Sequence, residues 1–279
     1  MSTHTTSNDA PVGIFDSGLG GLSVLRHIRA QLPHEHLIYV ADSGFAPYGG
    51  RPEHVIGERS LAVIRFLVDQ GVKAIVVACN TATISAIKLM REQYPQLPIV
   101  GVEPGLKPAA AATRSGNVGV LATERTLSGT KLLTLRDQIT EATGTRFLLQ
   151  PCPGLVDNIE AGDAEGVTRM VRRYVTPLLD EGVDTLVLGC THYPLVQATI
   201  EDVIAQAGAR DIRLIDTGDA IARQLARLLD AGHLLRHPQP DTPARLEAYT
   251  SASATALSAA FNTLLGIDPP VHETTFGAA

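Results

Sequence analysis

The chain reads as an α/β protein made of two pseudo-symmetric parallel-sheet domains, and three observations lead there. Short β-branched runs alternate with longer amphipathic stretches, the pattern of parallel strands covered by helices on both faces. Two stretches copy each other: Gly71-Val72-Lys73-Ala74-Ile75-Val76-Val77-Ala78-Cys79, then Asn80-Thr81, and Gly182-Val183-Asp184-Thr185-Leu186-Val187-Leu188-Gly189-Cys190, then Thr191-His192. Two openings match as well, Val12-Gly13-Ile14-Phe15-Asp16-Ser17 and Val118-Gly119-Val120-Leu121-Ala122-Thr123, each at a similar distance before its cysteine. A length of 279 residues leaves room for two modest domains.

Taken in order, strands are expected at Val12–Phe15, Leu37–Ala41, Ala74–Ala78, Ile99–Val102, Val118–Leu121, Arg146–Leu149, Thr185–Leu188 and Arg213–Ile215. A helix should begin near Leu22, after the loop Asp16-Ser17-Gly18-Leu19-Gly20-Gly21. Ser60–Gln70 carries apolar residues at 61, 63, 64, 67 and 68, a helical spacing, and Val167–Asp180 reads the same way. The alanine run Ala109–Ala112 also suits a helix. The segment Thr217–Phe276 adds a helix at Asp219–Leu229, a strand at Leu246–Ser251 and a helix at Ser253–Leu265. It has no copy in the second half and is expected to pack back on the first. The domains are therefore drawn as residues 1–105 plus 216–279, and 106–215.

Composition narrows the function classes. Apolar residues make up 44% of the chain, too many for a disordered protein. The net charge is −6 without a lysine or arginine cluster, which argues against a nucleic-acid or anionic-membrane surface. No apolar run approaches the roughly 20 residues of a membrane-spanning helix. Residues Met1 to Asp9 lack the apolar core of a secretory signal and read as a frayed tail. Three cysteines without a CxxC pair do not make a disulfide framework, so a reduced, cytoplasmic protein is expected.

Ligand sites of parallel sheets gather beyond the carboxyl ends of the strands. The polar clusters fall there: Asp16-Ser17, Asp42-Ser43, Cys79-Asn80-Thr81, Thr123 and Cys190-Thr191-His192. If the two halves face each other, both thiols enter one cleft. Two acid–base groups on opposite sides of a small molecule are what inversion at carbon requires, and a thiol titrates close enough to neutrality for either form to be reached. A lone strand-end cysteine is more often a packing residue. Duplicated placement moves Cys79 and Cys190 out of that class, whereas Cys152, in Pro151-Cys152-Pro153, has no copy and stays in it.

The remaining candidates each have two readings. Asp16 caps its loop or helix, or holds the Cys79 thiol. The glycines after it let the backbone approach a ligand, although Ser23 stands where a dinucleotide fingerprint needs glycine, so a carboxylate fits better than a pyrophosphate. His192 starts a helix, or tunes Cys190 and donates to the substrate. Tyr48-Gly49 lies in an exposed loop, as an ordinary turn or as a contact to the ligand. Glu160 reads as a solvated helix end more readily than as a support for His192. Zinc held by Cys79, Cys190 and His192 would lack the close ligand pairs of structural sites, so no metal is assigned.

With these residues in view, the chain resembles the glutamate racemases of the aspartate/glutamate racemase family. The resemblance rests on Phe15-Asp16-Ser17-Gly18-Leu19-Gly20-Gly21-Leu22-Ser23-Val24-Leu25, Ala46-Pro47-Tyr48-Gly49, Ala78-Cys79-Asn80-Thr81-Ala82-Thr83, Gly101-Val102-Glu103-Pro104 and Leu188-Gly189-Cys190-Thr191-His192-Tyr193-Pro194-Leu195. It runs from Val12 to the last helix. Ala41-Asp42-Ser43-Gly44-Phe45 departs from the family's Gly-Asp-Thr approach to the Pro-Tyr-Gly loop, and Asp157-Asn158 stands where apolar residues are common.

The resemblance implies cofactor-independent exchange of L- and D-glutamate, supplying peptidoglycan. It makes Cys79 the acid–base group for the D-enantiomer and Cys190 that for the L-enantiomer, assisted by Asp16 and His192. Asp16, Ser17, Tyr48, Gly49, Asn80, Thr81, Thr123, Thr191 and His192 would hold the amino and carboxylate groups. It also implies a homodimer. The competing expectations are an aspartate racemase, a related cysteine-dependent decarboxylase or isomerase, and a non-catalytic amino-acid binding module.

Overall fold

A computed structural model describes residues 7–238 and 242–277. The first six residues of the expected frayed tail lie outside them. The chain divides into two compact units, Met1–Val102 with Gly218–Ala279, and Glu103–Thr217.

The first unit opens with β1 (Val12–Asp16), α1 (Leu22–Gln31), β2 (Leu37–Ala41), α2 (Glu53–Asp69), β3 (Ala74–Val77), α3 (Asn80–Gln93) and β4 (Ile99–Gly101). The second unit holds α4 (Leu106–Ala112), β5 (Asn117–Ala122), α5 (Glu124–Leu127), α6 (Thr130–Thr143) and β6 (Arg146–Pro151). It continues through α7 (Leu155–Glu160), α8 (Ala164–Asp180), β7 (Thr185–Leu188), a 3-10 turn (Tyr193–Val196), α9 (Gln197–Gln206) and β8 (Arg213–Ile215). The chain then returns to the first unit with α10 (Gly218–Ala231), β9 (Leu246–Thr250), α11 (Ala254–Leu265) and β10 (Val271–Glu273).

All strand pairs in both sheets are parallel. The first sheet runs β10-β9-β2-β1-β3-β4 and the second β6-β5-β7-β8. The order β2-β1-β3-β4 is thus repeated as β6-β5-β7-β8. Each sheet has an apolar cluster on both faces, as parallel sheets require.

The copied sequence has a copied physical basis. Gly71 and Gly182 sit between helix and strand at φ 74° and 75°, left-handed backbone that a side chain would strain. Gly13 and Gly119, inside β1 and β5, lie under helix side chains. A Cβ at Gly13 would come within 3.0 Å of Leu67 and 3.2 Å of Val72, and one at Gly119 within 2.9 Å of Leu178 and 3.4 Å of Val183. Leu67 and Leu178, like Val72 and Val183, hold the same offsets from their repeat glycines. The Ala78 amide donates to the Phe15 carbonyl at 2.7 Å and the Gly189 amide to that of Leu121 at 2.8 Å, so each cysteine is delivered just past the end of an interior strand, β3 or β7.

β10 was not expected. Its residues are half-exposed or exposed and show no apolar run; it forms because Val271–Glu273 aligns with Ala248–Thr250 at the sheet edge. Among the described residues no helix is long and apolar enough to cross a membrane.

Candidate active site

In the first unit Cys79 is the N-cap of α3, with its sulfur 3.4 Å from the Ala82 amide that donates to it. Ser17 Oγ is 3.3 Å from the same sulfur. An amide at a helix start and a hydroxyl are the donors that a thiolate needs. Cys79, Asn80 and Thr81 are all buried.

Asp16 is wholly buried, and its Oδ1 accepts the Gly18 amide at 2.7 Å. The cap reading of Asp16 is therefore realised locally. Within the glycine loop some close approaches are internal. At Gly21 the close approach is to the protein itself, since a Cβ would sit 2.6 Å from Asp16 Cβ and 2.9 Å from the Tyr39 hydroxyl. The amide of Gly18 is likewise engaged internally.

Tyr48 is a correction. The loop that carries it was expected to be exposed, yet the side chain is 2% exposed and packs in the apolar cluster that contains Phe15 and Cys79. Its hydroxyl donates to Asp42 Oδ2 at 2.7 Å. Burial, with the Asp42 carboxylate beside it, pushes the phenol well above its ordinary range, so it remains protonated. Gly49, next to it, is half-buried.

In the second unit Cys190 and Thr191 are buried beyond β7, and His192 is the N-cap of the 3-10 turn. His192 Nδ1 lies 3.7 Å from Cys190 Sγ, and Nε2 lies 2.6 Å from Glu160 Oε1. Glu160 is the second correction: it is not a solvated helix end, for the last residue of α7 turns its carboxylate onto His192. A carboxylate on one ring nitrogen orients the imidazole and leaves the other facing the thiol. Thr123 caps α5, accepting the Thr126 amide at 3.3 Å while donating to Thr126 Oγ1 at 3.0 Å.

Cys152 keeps its packing role. It is buried, contacts the Gln150 carbonyl at 3.4 Å, and burial pushes its thiol up to about 12. A thiol held so far from ionisation is a poor acid–base group at neutral pH. Among the described residues no three His, Cys, Asp or Glu side chains are grouped to hold a metal ion.

Two parallel α/β units that share a four-strand order, each placing a buried cysteine with hydrogen-bonding partners just past an interior strand, fit an acid–base enzyme of the racemase class. The chain belongs to the Asp/Glu/Hydantoin racemase family, whose profile matches residues 17–225. A glutamate racemase from Ectopseudomonas mendocina (strain ymp) is 51% identical over 267 residues, 95% of this chain and 98% of the relative. Among solved structures, glutamate racemase isoform RacE1 from Bacillus anthracis superposes with a TM-score of 0.83 at 28% identity, covering 98% of this chain and all of that one. Escherichia coli glutamate racemase, in complex with L-glutamate and the activator UDP-MurNAc-ala, gives a TM-score of 0.79 at 33% identity over 95% of this chain and 97% of that one.

Proposed function

We propose that the protein interconverts L- and D-glutamate by two-base proton transfer at Cα, without a cofactor. The observation that carries this reading is the repeated thiol with different partners in each copy: Ser17 and a helix amide at Cys79, and the Glu160–His192 pair at Cys190. Half identity to glutamate racemases along nearly the whole chain supports the substrate. Cys190 takes the α-proton of L-glutamate, so that a C–H bond breaks and an S–H bond forms. Cys79 then delivers a proton to the opposite face, giving the D-enantiomer and a thiolate. The reverse reaction exchanges the roles. Negative charge that develops on the substrate carboxylate is met by hydroxyl and amide donors, for which Ser17, Asn80, Thr81, Thr123 and Thr191 are the candidates. The product supplies peptidoglycan synthesis, and the enzyme works in the cytoplasm as a homodimer.

Incubation with L-glutamate and with L-aspartate in heavy water, followed by chiral analysis and mass measurement, tests the reading. Glutamate should racemise with one deuterium at Cα; deuteration of neither substrate would sink it, and turnover of aspartate alone would reassign the substrate. Cys79→Ser and Cys190→Ser should each lose at least about a thousandfold in racemisation, within the range of a positioned acid–base group. Each should retain solvent exchange of one enantiomer without inversion, L-glutamate for Cys79→Ser and D-glutamate for Cys190→Ser.

A further inference from the structure

We infer that Arg59 and Phe276 are positioning residues, which hold the Tyr48-Gly49 loop through the buried carboxylate of Asp42. This rests on the glutamate-racemase reading above and on the substrate-binding role that the family resemblance implies for Tyr48 and Gly49.

Asp42 is wholly buried just past the end of β2. A buried carboxylate without partners costs several kcal/mol, and here four donors meet it. Arg59 clasps it with two arms, Nε to Oδ2 and Nη2 to Oδ1, both at 2.7 Å. Tyr48 donates to Oδ2 at 2.7 Å and Ser251 Oγ to Oδ1 at 2.6 Å. The Ser251 hydroxyl in turn accepts the Gly44 amide at 3.0 Å, and a Cβ on Gly44 would strike the Ser251 carbonyl at 2.4 Å.

The loop between β2 and α2 has little repetitive backbone hydrogen bonding, so its shape must come from such side-chain ties. The clasp is completed from a distant part of the chain. Arg59 Nη1 donates to the Phe276 carbonyl at 2.7 Å, and its guanidinium lies 5.0 Å from the Phe45 ring and 5.3 Å from the Phe276 ring. Phe45 meets Tyr48 edge-on at 5.7 Å, while Arg51 covers Phe45 at 3.9 Å. Phe276 is itself seated, 5% exposed, edge-on to Phe66 at 5.3 Å. The segment after β10 therefore acts as a strap. It fills the third arm of Arg59 and shields the ion pair that fixes Tyr48.

The strap is tested with three variants: full-length Phe276→Ala, a chain lacking residues 276–279, and the double substitution Asp42→Asn with Arg59→Met, which removes both charges together and leaves none unpaired. Amide hydrogen exchange across residues 43–51 should rise at least about tenfold in all three, without a matching rise in β2 or the body of α2. KM should rise about five- to twentyfold for both enantiomers, with kcat within about threefold, the pattern of lost ground-state binding. Phe276→Tyr, which keeps ring and carbonyl, should restore both readings. Unchanged exchange and KM would overturn the inference, as would a fall in kcat at constant KM, or exchange rising throughout the unit. Should the unmodified protein fail to racemise glutamate, the functional reading falls, and the exchange measurement still decides whether the strap holds the loop.

Discussion

At Cys190 the sulfur faces one ring nitrogen of His192, and Glu160 faces the other. With its Nε2 proton donated to the carboxylate, the imidazole presents an Nδ1 lone pair to the thiol. Replacing Glu160 by Gln would keep a hydrogen bond and remove the charge that stabilises an imidazolium. A charge-assisted hydrogen bond contributes about 1.5 kcal/mol, so kcat should fall about tenfold with KM nearly unchanged, read by steady-state kinetics in both directions. An unaltered kcat would make Glu160 a structural partner only. Cys79, Cys190 and His192 were legible because each stands beside a repeated strand. Glu160 was not, since its pairing depends on how α7 packs, and Asp157-Asn158-Ile159-Glu160 carries no pattern that distinguishes a solvated helix end from a buried contact. Tyr48 is obscured for a related reason: the proline and glycines around it mark a turn that stays partly exposed, while Asp42, Arg59 and the aromatic rings bury the tyrosine itself.

Among the elements, the core strands were read closely from sequence because strands covered on both faces are nearly continuous apolar runs. Leu37–Ala41, Thr185–Leu188 and Arg213–Ile215 appear with the expected bounds, and the other expected strands differ by one or two residues at one end or, for β5, by one at both. The strand at Leu246–Thr250 pairs with β2, so the segment after residue 217 does extend the first sheet. Helix α2 begins seven residues before the expected Ser60, because Glu53–Arg59 is polar on the side that faces water and toward Asp42. The repeat makes a paired prediction. Gly71→Ala and Gly182→Ala should each lower stability by about 1–2 kcal/mol, the cost of left-handed backbone for a residue with a Cβ. Nothing lies within 4 Å of the added atom at Gly71, so the loss there is conformational. Chemical denaturation checks it, and similar losses at both positions are expected.

Each unit also carries a polar anchor at the amino end of its sheet, at equivalent places in the repeat. In the first unit it is Lys73, fully buried, paired with Glu35 at 2.5 Å and donating to the Asn8 carbonyl. In the second it is Asp184. Burial opposes its charge, but hydrogen bonds from Thr113 Oγ1 and the Ser115 and Arg114 amides prevail, bringing it to about 2. Beside Lys73 lies His36, whose Nδ1 accepts the Arg245 amide at 2.9 Å. Burial lowers the pKa of His36, helped by Arg236, Arg245 and Lys73 and opposed by Asp9. The folded state thus binds the His36 proton more weakly than the unfolded chain, whose histidine titrates near 6.5. The stabilisation is complete above pH of about 6.5 and is lost as pH falls through the lower folded value. Thermal unfolding from pH 8 to 5 should show that decline, and His36→Gln should flatten it. A slope unaffected by the substitution would assign the acid sensitivity elsewhere.

Periodicity and repetition in the chain were enough to specify two parallel α/β halves with a cysteine at the end of a repeated strand in each. Apolar runs and left-handed glycines act over a few residues and leave their mark in local order. The partners of those cysteines belong to folding. Ser17 at Cys79, Glu160 behind His192, and the Phe276 strap on Arg59 join residues far apart in sequence, whose side chains meet through the packing of helices and loops. A hydrogen bond of 2.6 Å between residues 160 and 192 is settled by that packing, to which no local preference of either residue points.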